Sequence, residues 1–466
     1  ALRGARSALF CDSLELETYH IWDQKLWDRF AERFGYRLED CLQQIDNDPD
    51  LLFDYRTIVA EAIQTEFFEE FTAICHEHGT WSRVQCHGTP SDLLAAYAVV
   101  DIPESEALLF NPPFSRIAAS AAALAQRPVV SAETFTCIYG FVTLKNYEPL
   151  RYWHREQVAD LKLLADALFA QGVNQIVWHG MPFNGVDGPN EFYASVHVAP
   201  DSVFAYELPA FNGYLENVSA LMKIGQTASR LAVYLPNEDN LRLQRIPPED
   251  RTPGANYLWE MRHVVVPRET EPFAPLWISP WFLKQADMVD GGLQVGGCRF
   301  SALLIDVAWL DGDALAHIDR LSEQGLKVIL RREPQVPGKR PRRDFSALLE
   351  RVRARASTFT DLNQAQLAPL VSGVDLPPFW ARQTSDTLFV FFAHPLAREV
   401  KYPMRYGLSW YQGFTTRQIS IDFLGQQYPI QLVFEPFQSL LVSVSAARGV
   451  EFVDIRYQPS LPLPSL

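Results

Sequence analysis

The clearest fold signal in the chain is the stretch Pro128-Val-Val-Ser-Ala-Glu-Thr-Phe-Thr136. A short β-branched apolar run ends there in small residues and then in a carboxylate, Glu133. Parallel β/α barrels carry their catalytic acids at this place, where a buried strand emerges at the rim. A second stretch, Ser7-Ala-Leu-Phe-Cys-Asp-Ser-Leu-Glu15, has the same form and contains Asp12 and Glu15. Two carboxylates at the ends of two barrel strands are the arrangement that glycoside hydrolysis needs.

Strands and helices alternate through the first half of the chain, which indicates parallel strands joined by crossover helices. The apolar runs predict strands at Ser7–Asp12, Trp81–His87, Pro128–Ala132 and Asn174–Trp178, and a fifth at Ala107–Phe110. Apolar residues at helical spacing predict helices at Asp23–Phe34, Arg56–His78, Ser91–Val99, Arg116–Gln126, Val158–Gln171 and Gly213–Gly225. A closed barrel needs eight strands. We therefore expect a (β/α)8 TIM-barrel-type catalytic domain of which this chain holds the C-terminal half.

Two further domains are predicted after the barrel half, so that the chain divides into residues 1–228, 229–360 and 361–466. In the middle region two apolar strands flank a helix, which is typical of a small flavodoxin-like α/β domain. Its first strand-to-helix turn has no glycine-rich phosphate cradle, so nucleotide binding is not expected. The basic, proline-rich stretch Pro334–Arg343 is interpreted as a solvated linker. Beyond Leu376, four apolar strands at regular spacing predict a β-sandwich.

The charge balance restricts the classes of partner that we expect. Acidic residues outnumber basic ones by 56 to 41, which gives a net charge of −15 and argues against nucleic acid or an anionic membrane as partner. No apolar run approaches the length of a membrane span. The six cysteines form no CxxC pair, which slightly favours a reducing, cytoplasmic compartment over a periplasmic or secreted one. The compartment itself stays open.

Polar side chains follow four successive predicted strands and would share one rim of a barrel. Any one of them alone is more often a helix cap or a solvated loop residue, but agreement across four strands favours a site. The strand-end residues are Asp12, Glu15, Gln85, His87, Glu133 and His179. Candidate sugar-binding groups are Glu104, Trp178, Asn212 and Tyr214, together with a predicted active-site loop at Asn184–Tyr206.

A calcium site is a weaker expectation. Glu104 and Glu106, read as loop residues, would supply with Asp12 the oxygen ligands that a hard cation takes. Their spacing is not that of an EF-hand, and no cofactor is required by the sequence.

Several blocks of the chain, in order, resemble glycoside hydrolase family 106, the α-L-rhamnosidases. Phe10-Cys-Asp-Ser-Leu-Glu15, followed by Arg33-Phe-Gly-Tyr36, resembles the D-S-W-E and R-R-G-Y block of that family. The other blocks are Gln85 with Gly88, Asp101-Ile-Pro-Glu104, Val130-Ser-Ala-Glu-Thr-Phe135, Gly172-Val-Asn-Gln-Ile-Val-Trp-His-Gly180, Asn212-Gly-Tyr214 and Ala232-Val-Tyr-Leu-Pro236. The ordered set is specific, whereas no single block is.

The resemblance implies an inverting hydrolase with calcium at the sugar. It implies that Glu15 is the general acid and that Glu133 is the base for water. This sequence departs from the family pattern at Leu14, where the block has Trp, and in the absence of the N-terminal barrel half. The metal ligands are not identified by the resemblance.

Two other functions stay open at this point. One is a barrel hydrolase of another sugar, such as a galactosidase. The other is a non-catalytic glycan-binding subunit of a split enzyme, in which a second polypeptide supplies the N-terminal barrel half. Either a second polypeptide or a homo-oligomer is therefore an expected partner, beside the carbohydrate itself.

Overall fold

The computed structural model describes residues 7–16, 18, 20–143, 146–179, 196, 198, 202–243 and 258–460. The chain forms two compact units. The first comprises Ala1–Pro103, Ser120–Pro128 and Ser229–Ala368, and the second comprises Glu104–Ala119, Val129–Ala228 and Pro369–Leu466. The predicted domain bounds at residues 228 and 360 stay predictions. Of the helices described, none has the length and apolar character needed to cross a membrane.

Parallel strands alternate with helices up to residue 178, so the predicted α/β class is confirmed. In chain order the elements are β1 (Ala8–Cys11), α1 (Gln24–Phe34), α2 (Pro49–Ile63), α3 (Glu69–Glu77), β2 (Trp81–Val84), α4 (Leu93–Ala98), β3 (Ile102–Glu106), α5 (Ser115–Leu124), β4 (Ser131–Thr134), α6 (Val158–Phe169), β5 (Gln175–Trp178), α7 (Leu208–Leu221) and β6 (Gln226–Thr227). In the first unit β1 pairs with β2, and β2 pairs with the start of β3. In the second unit the end of β3 pairs with β4, and β4 pairs with β5. The closed-barrel interpretation stays a prediction.

Helix α1 illustrates how local residues determine where a helix begins, where it ends and which face is buried. Its N-cap is Asp23, whose carboxylate accepts a hydrogen bond from the backbone N–H of Lys25. It ends at Gly35, which adopts the left-handed conformation that L side chains rarely take. Leu26 and Phe30 lie one turn apart and are both buried, so one face of the helix packs into the core. The predicted helix is confirmed.

Three predicted elements need correction. The strand predicted at Ala107–Phe110 is wrong, because the strand lies just before it, at β3. Glu133 lies within β4 instead of after a strand end. The long helix predicted at Arg56–His78 begins earlier, at Pro49, where Asp48 accepts hydrogen bonds from two backbone N–H groups, and a π-helical turn at Gln64–Phe68 divides it.

A second parallel sheet lies in the first unit. Its region contains β7 (Leu231–Tyr234), α8 (Asn237–Arg242), β8 (Leu276–Ile278), α9 (Pro280–Leu283), β9 (Asp287–Val289), β10 (Gly292–Val295), β11 (Cys298–Phe300), β12 (Ala302–Ile305), α10 (Gly312–Glu323), β13 (Val328–Leu330), α11 (Phe345–Ala354) and β14 (Thr358–Phe359). The strand order is β8-β7-β12-β13-β14, all parallel. Strands β9 to β11 form a separate antiparallel sheet. The flavodoxin-like interpretation of this region stays a prediction.

The basic stretch Pro334–Arg343 is not the solvated connector that the sequence suggested. The ammonium group of Lys339 lies 2.6 Å from a carboxylate oxygen of Asp48. The backbone N–H of Gly338 donates to a carboxylate oxygen of Asp50 at 2.9 Å. The stretch therefore packs on the acidic start of α2, a contact between residues nearly 300 positions apart.

The C-terminal region is rich in antiparallel strands, as predicted. They are β15 (Val371–Gly373), β16 (Phe379–Gln383), β17 (Thr387–Phe392), β18 (Thr415–Phe423), β19 (Gln426–Phe434), β20 (Leu440–Ser445) and β21 (Gly449–Val453). One sheet has the order β15-β18-β19 and the other has the order β21-β20-β17-β16-β6. Buried and exposed residues alternate along β19, so one face of this strand packs inward. The β-sandwich stays a prediction.

A buried carboxyl group lies beside the second parallel sheet. Glu238, at the start of α8, is 2% exposed and accepts a hydrogen bond from the Tyr234 hydroxyl at 2.6 Å. Burial, with Asp311 and Asp92 nearby, raises the pKa of Glu238 from 4.5 to about 8. The folded protein therefore keeps a proton on Glu238 at neutral pH that the unfolded chain has already released.

This proton predicts a pH dependence of stability. Because the folded-state pKa is the higher one, the contribution of Glu238 is most favourable below about pH 4.5 and is lost as the pH rises towards 8. The Glu238→Gln variant cannot lose a proton. We compare the free energy of unfolding of this variant with that of the parent at each pH. The difference, variant minus parent, should be about 2–4 kcal/mol larger at pH 8.5 than at pH 5. Denaturant titrations at the two pH values measure this difference, and equal differences at both would contradict it.

Candidate active site

Four of the predicted site residues follow β1 and β2 in the first unit. The backbone N–H of Gln85 donates to the carbonyl oxygen of Cys11 at 3.1 Å, which carries the β1–β2 ladder one residue beyond the strands. Gln85 and His87 are buried, at 0% and 2% exposure. Asp12 is exposed and accepts a hydrogen bond from the backbone N–H of Ser13 at 2.8 Å. This contact is a local turn contact and does not itself indicate a binding role.

The backbone at Glu15 contacts Gly88, in the loop that follows β2. The N–H of Leu16 donates to the carbonyl oxygen of Gly88 at 2.9 Å. A Cβ atom added at Gly88 would lie 2.6 Å from the backbone nitrogen of Glu15, so only glycine allows this approach. Glu15 itself has a φ of 39°, in the left-handed region, and its side chain is exposed. Backbone strain of this kind is concentrated at functional sites.

Three carboxylates share one face of the β3–β4 ladder in the second unit. In the register of the two strands Glu104 is opposite Ser131, and Glu106 is opposite Glu133. Side chains two positions apart on a strand point to the same side. Ser105, between the two acids, is hydrogen-bonded to Ser115 of α5, so the acids point away from that helix. The sheet face opposite α5 is therefore lined with carboxylates.

Burial differs among these three acids. Glu104 is 0% exposed, and one of its oxygens accepts a hydrogen bond from the Ser131 hydroxyl at 2.6 Å. Glu106 is 6% exposed, whereas Glu133 is half-buried. Burial raises the pKa of the Cys137 thiol to about 12, and the charges of Glu106 and Glu133 act in the same direction. Cys137 is therefore a buried neutral thiol beside these two carboxylates.

Sequence reasoning considered Glu106 only as a loop ligand for calcium and did not identify Ser131, so it did not predict that both lie on one strand face with Glu133. The signal was present in Pro103-Glu-Ser-Glu106, because two acids two positions apart occupy one face of a strand. Because these residues were predicted to form a loop, this strand pattern was not recognised.

Aromatic residues surround the end of β4 and β5. Phe135 has a φ of 87° and is fully buried, with its ring 4.4 Å from that of Trp178 and 6.0 Å from that of Phe211. The indole N–H of Trp178 donates to the side-chain oxygen of Asn212 at 3.1 Å. The imidazole of His179 is hydrogen-bonded to the hydroxyl of Thr136 on the neighbouring strand end. Trp178, His179 and Asn212 are thus brought together beside the acid-bearing strand.

The structure does not bring Tyr214 to these strand ends. Tyr214, in α7, is buried against α6. Its hydroxyl is hydrogen-bonded to Asp166 of α6, and its ring centroid lies 4.4 Å from the ammonium group of Lys162. The predicted active-site loop at Asn184–Tyr206 lies largely outside the described residues. Glu104, predicted as a substrate-binding loop residue, lies in a strand.

The sequence suggested Asp12, Glu104 and Glu106 as ligands of a calcium ion. Among the residues that the structure describes, no group of three or more His, Cys, Asp or Glu side chains is positioned to hold a metal ion. Calcium also takes backbone carbonyl and water oxygens, so the expected calcium ion stays a prediction, and no catalytic step involves it.

A sequence model of one family, glycoside hydrolase 106, described as alpha-L-rhamnosidase, matches residues 2–260, more than half of the chain. The chain belongs to glycoside hydrolase family 106. The matched region contains Glu15 and Glu133, and the predicted family is confirmed. A search of curated proteins finds no match.

Solved structures of glycosidases have a similar fold. A rhamnosidase from Novosphingobium sp. PP1Y matches with a TM-score of 0.70 at 16% identity, covering 97% of this chain and 46% of its own. An exo-carrageenase of family GH42 from Bacteroides ovatus matches with a TM-score of 0.54 at 10% identity, covering 92% and 64%. A beta-galactosidase from Bacillus circulans sp. alkalophilus matches with a TM-score of 0.53 at 10% identity, and the match covers 91% of this chain and 77% of the beta-galactosidase. At these identities the likeness concerns the fold, and the chain spans about half the length of the rhamnosidase.

The contact between Gly88 and Glu15 generates a prediction with a matched control. Gly88→Ala should displace Glu15, the predicted general acid. Turnover of a glycoside substrate should then fall by roughly 10–100-fold, the effect of misplacing a catalytic group by about 1 Å. Gly79 has a similar φ of 70°, but a Cβ atom there meets nothing within 4 Å. Gly79→Ala should therefore lose only stability, about 1–2 kcal/mol, as a left-handed alanine does.

Steady-state rates and denaturant unfolding of both variants measure these effects. Equal turnover in the two variants would show that the approach of Gly88 to Glu15 does not position the acid.

Proposed function

We propose that the protein is a glycosidase that releases terminal α-L-rhamnosyl or related deoxy-sugar residues with inversion. Glu15 is the general acid and Glu133 is the base that activates water. The observation that carries this proposal is the family match over residues 2–260, which includes both acids and the strands that bear them. The rhamnosidase likeness of the fold supports it.

The chemistry assigns a different task to each carboxyl group. A protonated Glu15 gives its proton to the glycosidic oxygen as the bond to the aglycone breaks. An ionised Glu133 takes a proton from water as the water attacks the anomeric carbon from the opposite face. Inversion requires room for this water, so the two carboxyl groups of the active enzyme should be roughly 6.5–9.5 Å apart.

Burial distinguishes Glu133 from its two neighbours on the strand face. A general base must reach water, and Glu133 is the half-buried member of the three acids. Glu104 is fully buried and one of its oxygens is held by Ser131. We infer that Glu104 shapes the site while Glu133 performs the proton transfer.

The remaining polar and aromatic groups are proposed to hold the sugar. In the first unit Gln85 and His87 follow β2, as Glu15 follows β1. In the second unit Trp178, His179 and Asn212 lie beside β4, which carries Glu133. Aromatic rings pack against the C–H faces of sugars, while amide and imidazole groups form hydrogen bonds to hydroxyls. The complete barrel is proposed to include further polypeptide, either a second subunit or another copy.

Two carboxamide substitutions test the proposed roles. Glu15→Gln and Glu133→Gln should each lower kcat on an aryl α-L-rhamnoside by roughly 100–10,000-fold, the range expected for loss of a general acid or base. A good leaving group should restore much of the rate of Glu15→Gln but little of that of Glu133→Gln, because only the acid assists departure. Glu216→Gln, at an exposed position on α7, is the matched control.

The assay is made on the protein with any polypeptides that remain bound on purification, using a panel of aryl glycosides. Near-parental rates in either variant would reject that residue's role. Faster cleavage of a β-galactoside would assign another sugar, and binding without cleavage would assign a glycan-binding subunit.

A further inference from the structure

The second parallel sheet of the first unit contains a topological switch point. Numbered along the chain, its strands have the order 2-1-3-4-5, since β8 lies on one side of β7 and β12 lies on the other. Doubly wound sheets with this order bind ligands outside the carboxyl ends of the strands, between the first and third strands. A cavity of about 490 Å³ lies there, lined by residues that follow β7 and β12. Its volume suits a small ligand.

The groups that would hold a phosphate in such a sheet are already occupied. Backbone N–H groups in the loop after a strand are the usual anion-binding donors at this place. Here the N–H groups of Ala308 and Trp309 donate to the carboxylate of Asp239, at 3.0 and 2.7 Å. Asp306 adds a second carboxylate to the lining. Asp306 is paired with Arg331 and Arg332, at 3.6 and 2.7 Å, so its charge is balanced. Saturation of the two backbone N–H donors by Asp239 is therefore what disfavours an anion here.

Besides these two carboxylates, the lining contains indole rings and uncharged polar groups. Trp277 and Trp309 both line the cavity, and a guanidinium group of Arg242 lies 3.5 Å from the Trp309 ring centroid and holds that ring in place. Asn240 and His263 add an amide and an imidazole. A molecule with apolar C–H faces and many hydroxyl groups is complementary to such a lining.

Two polar atoms of the lining residues lack a partner. The indole N–H of Trp277 and the side-chain oxygen of Asn240 are buried and have no hydrogen bond to any residue that the structure describes. The two residues are 3% and 2% exposed. Leaving a buried donor and a buried acceptor without a hydrogen bond is unfavourable, so a ligand that satisfies them is favoured. A hydroxyl group both donates and accepts, so a sugar has the groups that these two atoms require.

We propose that this cavity is a second carbohydrate site, which binds one neutral sugar residue and takes no part in bond cleavage. It shares no lining residue with the candidate active site. A glycosidase with such a site would hold its polysaccharide or oligosaccharide substrate at a point remote from the reacting bond. The proposal rests on the cavity itself and stands whether or not Glu15 and Glu133 have the catalytic roles given above.

Equilibrium dialysis tests the proposal on the whole protein carrying Glu133→Gln, with radiolabelled L-rhamnose, D-galactose and D-glucose as probes and inorganic phosphate as the anionic probe. We expect a neutral sugar to bind, phosphate not to bind or compete, and Trp309→Ala to weaken one class of sugar sites by about tenfold or more. Trp281→Ala, at a partly exposed indole of the same unit outside this cavity, should leave binding unchanged.

His263→Ala, at an exposed position, provides a second variant whose folding is not at risk, and thermal unfolding checks both. Unchanged sugar binding in the folded Trp309→Ala and His263→Ala variants would overturn the proposal, as would competition by phosphate. Both variants, made with Glu133 intact, should keep the parental turnover of an aryl glycoside. Loss of turnover with unchanged binding would place these residues in catalysis instead.

Discussion

The positions of Glu104, Glu106 and Glu133 in the candidate site all depend on the parallel pairing of β3 with β4. Its register sets Glu106 opposite Glu133 and Glu104 opposite Ser131. Because side chains alternate along a strand, a slip of one residue would turn Glu133 towards the helix layer and bring Ala132 to its place. The hydrogen bond between Ser105 and Ser115 ties the opposite face of β3 to α5 and so opposes such a slip.

Burying carboxylates in a sheet is unfavourable unless hydrogen bonds compensate. Ser131 supplies one such bond to Glu104, and the partly exposed position of Glu133 leaves it able to meet water. The backbone beyond the strand is strained at Phe135, and packing against Trp178 and Phe211 holds it there. Aromatic packing thus supports the backbone next to the end of β4.

The sequence was informative where one periodicity dominated. The apolar runs located β1, β4 and β5 to within a few residues, and the spacing of Leu26 and Phe30 located α1. Strand β3 was not predicted, because its acidic residues are buried by tertiary packing and local hydrophobicity does not indicate that burial. The docking of Lys339 on Asp48 and the strand order of the second sheet also depend on contacts between distant residues. The family was recognised from ordered blocks, whereas the roles of Glu15 and Glu133 stay predictions.

We propose that Glu133, within β4, and Glu15, beyond the end of β1, cleave an α-L-rhamnoside with inversion. The most direct measurement follows the anomeric proton of the released sugar by time-resolved NMR during hydrolysis of an aryl α-L-rhamnoside. The β-anomer of L-rhamnose should appear first and then equilibrate with the α-anomer. Initial release of the α-anomer would show retention through a covalent intermediate and would contradict the roles given to Glu15 and Glu133.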